Sequence, residues 1–140
     1  MPALEFLCKD IGINTNKFTK GELLILEAEL FFLICEELKK LFKSHYKNYF
    51  SLLNFDFEME ERMIETNFLR FVIVDILSTE TYNLLGIALY TQNSEETIYE
   101  LMSGYNKDPS LLLARKIIEL HRKVRPELYR IILKKAIKIE

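Results

Sequence analysis

The sequence predicts an all-α fold, a compact multi-helix domain with a long helix or helical hairpin at its N-terminal end. Only four glycines and three prolines occur in 140 residues, too few for a loop-rich β-sandwich, a collagen repeat or a disordered tail. Hydrophobic residues make up 49% of the chain and charged residues 29%, a balance that can bury one core. Leucine and isoleucine recur at intervals of three and four, the period of a helix.

Asn14-Thr15-Asn16 marks a loop, and Thr19-x-x-Glu22 fits a capping box, so a long helix starts near Lys20. Leu23, Leu26, Leu30, Leu33, Ile34, Leu38, Leu41 and Phe42 follow its apolar face. Leu24, Ile25, Phe31 and Phe32 widen that face until it needs cover on two sides. A second helix or a turn containing His45, Tyr46, Tyr49, Phe50, Leu52 and Leu53 comes next, and Asn54 to Glu58 reads as a connection. Aromatic residues from Phe6 and Phe18 to Phe50 read as core in this half.

A further helix spans Glu60 to Leu77; Phe71-Val72-Ile73-Val74 suits a buried strand as well, and the absence of a partner strand decides for helix. Ser78 is read as the cap of a helix over Thr79 to Tyr90, and Thr91-Gln92-Asn93 as a polar break. Ser94-Glu95-Glu96 opens a short helix that stops at Gly104. Asp108-Pro109 and Arg125-Pro126 each place a proline at a helix start, the last helix running nearly to Ile139. The division expected is a helical region over 1–57 and a second part over 58–140.

Net charge is −2, but it is unevenly spread. Residues 71–107 carry one base and five acids, whereas residues 108–140 carry nine bases and four acids. The C-terminal quarter is the one segment with the character of a polyanion-binding surface. Cys8 and Cys35 lack CxxC or CxxH spacing, so neither a disulfide scaffold nor a zinc site is signalled, and reduced thiols in a cytoplasmic setting are expected. Met1-Pro2-Ala3-Leu4-Glu5 has no basic run before an apolar stretch, and acids such as Glu29 and Glu36 interrupt every long apolar run, so no export signal or membrane span is inferred.

Ala88, the turn Gln92-Asn93, Ile98 and Leu101 lie within a segment, Leu77 to Leu120, that resembles the helix-turn-helix domain of the Xre/Cro repressor class. In that class a small residue faces a β-branched residue ten positions later, where two helices cross closely, and Ala88 and Ile98 have this spacing. Ser94 to Gly104 is similar to the recognition helix with its terminating glycine, and Asp108 to Ile117 to the helix after it. The resemblance covers about residues 60–124 and implies a homodimeric, sequence-specific DNA-binding regulator of transcription. It would place Ser94, Glu95, Glu96, Tyr99 and Glu100 nearest the bases and let Arg115, Lys116, Lys123, Arg130 and Lys134 supply charge to the phosphates. Dimerisation then falls to Leu23–Phe50.

Two departures stand beside the match. The turn has Gln92-Asn93 where the class has a glycine and an aliphatic residue. Three of the base-facing positions are glutamates, which oppose binding to an anionic duplex. They favour an alternative, a helical module that holds another protein as an antitoxin, adaptor or inhibitor does.

An enzyme is the weaker hypothesis. No Walker A loop, GxGxxG, GxSxG or HExxH occurs. Arg115 and His121 form an R-x5-H pair that resembles the ribonuclease motif of HEPN domains, but six residues turn an ideal helix by about 600°, leaving the two side chains roughly 120° apart. His45 has no ligand-like neighbours in sequence. Asp56, Glu58, Glu60 and Glu61 lack the alternating ligands and glycine of a calcium loop and suit a helix start, so neither metal nor cofactor is expected.

Overall fold

A computed structural model describes residues 18–106 and 108–139, the side chains of 136–139 excepted. The Asn14–Asn16 loop, Phe6, Cys8 and the opening Met1–Glu5 lie outside the described residues. Those residues are all-helical and contain no strand: α1 Lys20–His45, α2 Lys47–Leu52, α3 Phe57–Thr66, α4 Phe68–Ser78, α5 Leu84–Thr91, α6 Glu95–Ser103, α7 Leu111–Val124 and α8 Pro126–Ile139. No helix among them is long and apolar enough to cross a membrane.

The capping box closes as the spacing requires: Thr19 N–H donates to Glu22 Oε1 and Glu22 N–H to Thr19 Oγ1, both at 3.2 Å. Where the spacing predicts a single helix over Glu60–Leu77, there are two. Met63 O accepts from both the backbone N–H and the side-chain amide of Asn67, which ends α3 and lets α4 start at Phe68. Ser78 is the last residue of α4 and does not cap the next helix, because its hydroxyl donates back to Asp75 O at 2.6 Å. Thr79 Oγ1 likewise donates to Ile76 O. Asn83 is the true cap of α5, its side-chain oxygen accepting from Gly86 N–H at 2.8 Å. Asp108-Pro109 also falls short: Ser110 Oγ accepts from Leu113 N–H, so α7 begins two residues after the proline.

The chain forms two compact units, Met1–Lys40 with Pro126–Glu140, and Leu41–Arg125. In the first, the buried residues of α1 are Leu30, Ile34 and Leu38, and those of α8 are Tyr129, Ile132 and Leu133. Lys135 Nζ lies 3.9 Å from Glu37 Oε2 between the two helices. Burial pushes the Cys35 thiol up to about 11, which keeps it protonated at neutral pH.

In the second unit α4 packs against α6 and α7, and α5 against α6 and α7. Val72, Ile73 and Ile76 of α4 meet a core that includes Ile87, Ile98, Ile117 and Leu120, all fully buried. Phe42 and Tyr46 stack around Phe71, with ring centroids 5.9 and 4.8 Å away. The aromatic residues are not uniformly core, however: Phe42 and Phe50 are buried, whereas Phe32 and Tyr49 are exposed.

Candidate functional site

The helices around Gln92 concentrate the residues that the sequence singles out. Gln92 has φ 59° and ψ 41°, the left-handed region that glycine usually occupies. Asn93 N–H donates to Ala88 O at 3.0 Å and Gln92 N–H to Leu89 O at 3.3 Å, the paired bonds of a Schellman motif. Asn93 Nδ2 also donates to Thr91 O. From α7, Lys116 Nζ reaches Thr91 O at 3.3 Å and Gln92 Oε1 at 3.0 Å. A cation is thus fixed at the C-terminal end of α5, where the free carbonyls concentrate negative charge. Ala88 and Ile98, ten residues apart, are both sealed, in two helices that pack on each other.

Beyond the turn, Ser94 Oγ accepts from Thr97 N–H at 3.1 Å, so its hydroxyl caps α6. Glu95 and Glu96 fill the first turn, where the helix dipole favours acids. Gly104 ends the helix at φ 85°. Glu95, Glu96 and Tyr99 are exposed and Glu100 is partly so. Glu96, Tyr99 and Glu100 line an open depression together with Tyr105.

The structure separates the ten nominated residues into two groups. Ser94, Glu95, Glu96, Tyr99 and Glu100 share one helix with its cap, and Arg115, Lys116 and Lys123 lie on α7 in the same unit. Arg130 and Lys134 belong to the other unit; Arg130 Nη1 pairs with Glu127 Oε1 at 2.6 Å, and Lys134 is exposed. Arg115, Lys116 and Lys123, three of the four Lys and Arg residues on α7, each have a neighbour in the fold. Lys116 holds the turn, Lys123 Nζ lies 4.9 Å from the centre of the Tyr90 ring, and Arg115 is partly buried, with Glu119 one turn along its helix.

Sequence reasoning missed one polar cluster entirely. Asp75 of α4 accepts at 2.6 Å from Nε2 of His121 on α7, and at 3.2 and 3.3 Å from Nε and Nη2 of Arg125. Arg125 Nη2 also donates to Ser78 Oγ at 3.1 Å. His121 is fully buried. Burial pushes its pKa down, outweighing the pull of Asp75 upward, so the ring is neutral at pH 7 with Nε2–H as the donor. Burial alone would raise Asp75, but the bonds from His121 and Arg125 hold it below the usual carboxylate range. Such a cluster clamps α4 to the end of α7. His121, half of the R-x5-H pair, is sealed and bonded to Asp75. The apolar run around Asp75, Phe71 to Leu77, gave no sign of partners 46 and 50 positions away.

Asp56 of the acidic patch caps α3, accepting from Met59 N–H at 2.8 Å. No group of three or more potential metal ligands occurs among the described residues. No family model, curated protein or solved structure matches the chain.

Proposed function

We propose that the protein is a helical binding module that presents α6 to a basic surface on another protein. The observation that carries this reading is the exposed face of α6, where Glu95, Glu96 and Glu100 surround Tyr99. Attraction to DNA depends on neutralising phosphates, so three carboxylates on the docking face work against it. Of the bases on α7, Lys116 is bonded to the turn and Lys123 lies against the Tyr90 ring. A protein partner carrying lysines or arginines meets the opposite situation, because acids and tyrosine rings both attract cations. Photo-crosslinking from position 99, with p-benzoylphenylalanine in place of Tyr99, tests the reading. It should yield a discrete protein adduct that disappears when Glu95, Glu96 and Glu100 are changed to lysine.

The second reading is the homodimeric helix-turn-helix regulator of transcription that binds double-stranded DNA through Ser94 to Met102. A specific observation favours it: Gln92 adopts the left-handed turn and Ala88 and Ile98 are buried, as the Xre/Cro resemblance requires. Under this reading the α7 bases flank the duplex, and the α6 glutamates accept from cytosine amines.

A further inference from the structure

A second surface of the same unit is built by α2, α3 and the segment between them. Over the eleven residues from Tyr49 to Met59, five large apolar side chains face solvent: Leu52 is 82% exposed and Phe57 68%, and Tyr49, Leu53 and Met59 are exposed too. Next to them is a cleft lined by Phe55, Met59 and Met63, with Arg62, Thr66 and Asn67 at its polar side. The floor is rigid on one side, since Phe55 stacks on the buried Phe50 with centroids 5.7 Å apart. On the other side it is adaptable, because methionines reshape themselves to what they contact. Five large apolar side chains exposed within eleven residues mark a surface that another molecule covers.

Charge selects the occupant. The segment Phe55–Thr66 carries five acids, Asp56, Glu58, Glu60, Glu61 and Glu65, against one base, Arg62. Of these, Glu61 pairs with Lys43, whose Nζ also sits 3.7 Å from the centre of the Phe57 ring. We propose that this patch docks a basic amphipathic helix of a partner protein, its apolar face on Phe57, Met59 and Met63 and its lysines or arginines against the acidic rim. A second copy of the same patch fits poorly, because a two-fold interface would set the acidic rim against itself. An anionic membrane is repelled by the same acids. The proposal is independent of what α6 binds.

Fluorescence anisotropy with a synthetic 18-residue helix, leucines along one face and lysines along the other, provides the test on the full chain. The expected result is saturable binding that weakens about tenfold in Phe57→Asp and again in Met59→Asp, equivalent to about 1.4 kcal/mol each. A peptide with the same leucines and glutamates for lysines should not bind. Both positions are exposed, so circular dichroism of the variants should match the parent, and Phe57→Ser serves if Phe57→Asp does not fold. Equal binding of the two peptides, or binding that neither variant weakens, overturns the proposal. So does a concentration-dependent dimer that Phe57→Asp abolishes, or adsorption to phosphatidylserine vesicles that the same change removes.

Discussion

Lys116 Nζ donates to Gln92 Oε1 at 3.0 Å, tying α7 to the one residue of the α5–α6 turn that has a positive φ. The lysine that the sequence offers as a phosphate contact braces this turn. It completes the end of α5 through Thr91 O as well. Its effect is local: the turn keeps its shape without glycine because the side chain at the left-handed position has a partner.

Replacing Lys116 by methionine keeps the stem and removes the cation. Stability should fall by about 0.3–1 kcal/mol, the usual value of a cation at a helix C-terminus. Gln92→Gly relieves left-handed backbone strain but discards the bond to Lys116, so its gain should be larger in the Lys116→Met background than in the parent. Urea unfolding of the four proteins in this cycle measures both effects.

Ala88 and Ile98 seal the packing of α5 on α6, at 2% and 0% exposure. Ala88→Leu should cost about 1–3 kcal/mol by forcing the helices apart. Ile98→Ala should cost about 2–5 kcal/mol by leaving a cavity. Surface substitutions such as Glu95→Gln should stay within about 0.5 kcal/mol. Equilibrium denaturation distinguishes these outcomes.

Acid should destabilise the fold in two stages. His121 has a depressed pKa in the folded state, so the unfolded chain takes up its proton first, and stability present above about 6.5 is lost as pH falls below that value. Asp75, also depressed, adds a loss of the same sign below its ordinary value of 3.8. His121→Gln should remove the first stage and leave the second. Unfolding midpoints measured from pH 8 to pH 3 on both proteins check the difference.

Much of the helical plan is legible in the sequence because caps are local. Thr19 with Glu22, Ser94, Gly104 and Pro126 act within a turn of their own position, and all four do what their residue types dictate. Ser78 and Asp108-Pro109 mislead for a related reason. A serine hydroxyl can accept from the next turn or donate to the preceding one, and Ser78 does the second. A proline is allowed at a helix start without being obliged to make one, and Ser110 supplies the cap two residues from Asp108.

The candidate site was legible in part. The charges and Tyr99 of α6 can be placed on one short helix from spacing alone, and the structure keeps them there. The disposition of the bases could not be read, because Lys116 to Gln92 and Lys123 to Tyr90 are tertiary contacts between helices. Asp75 with His121 and Arg125 was hidden for the same reason: each member has an ordinary local setting, and only folding brings them together.

The role of the acidic face of α6 is tested most directly by binding to random-sequence duplexes at two salt concentrations. The parent protein should retain no duplex even at low salt. The triple change Glu95→Lys, Glu96→Lys and Glu100→Lys should create weak, strongly salt-dependent retention. Enrichment of a palindromic site by the parent, with affinity falling steeply as salt rises, would contradict a protein-docking role for α6 and establish the transcription-regulator reading.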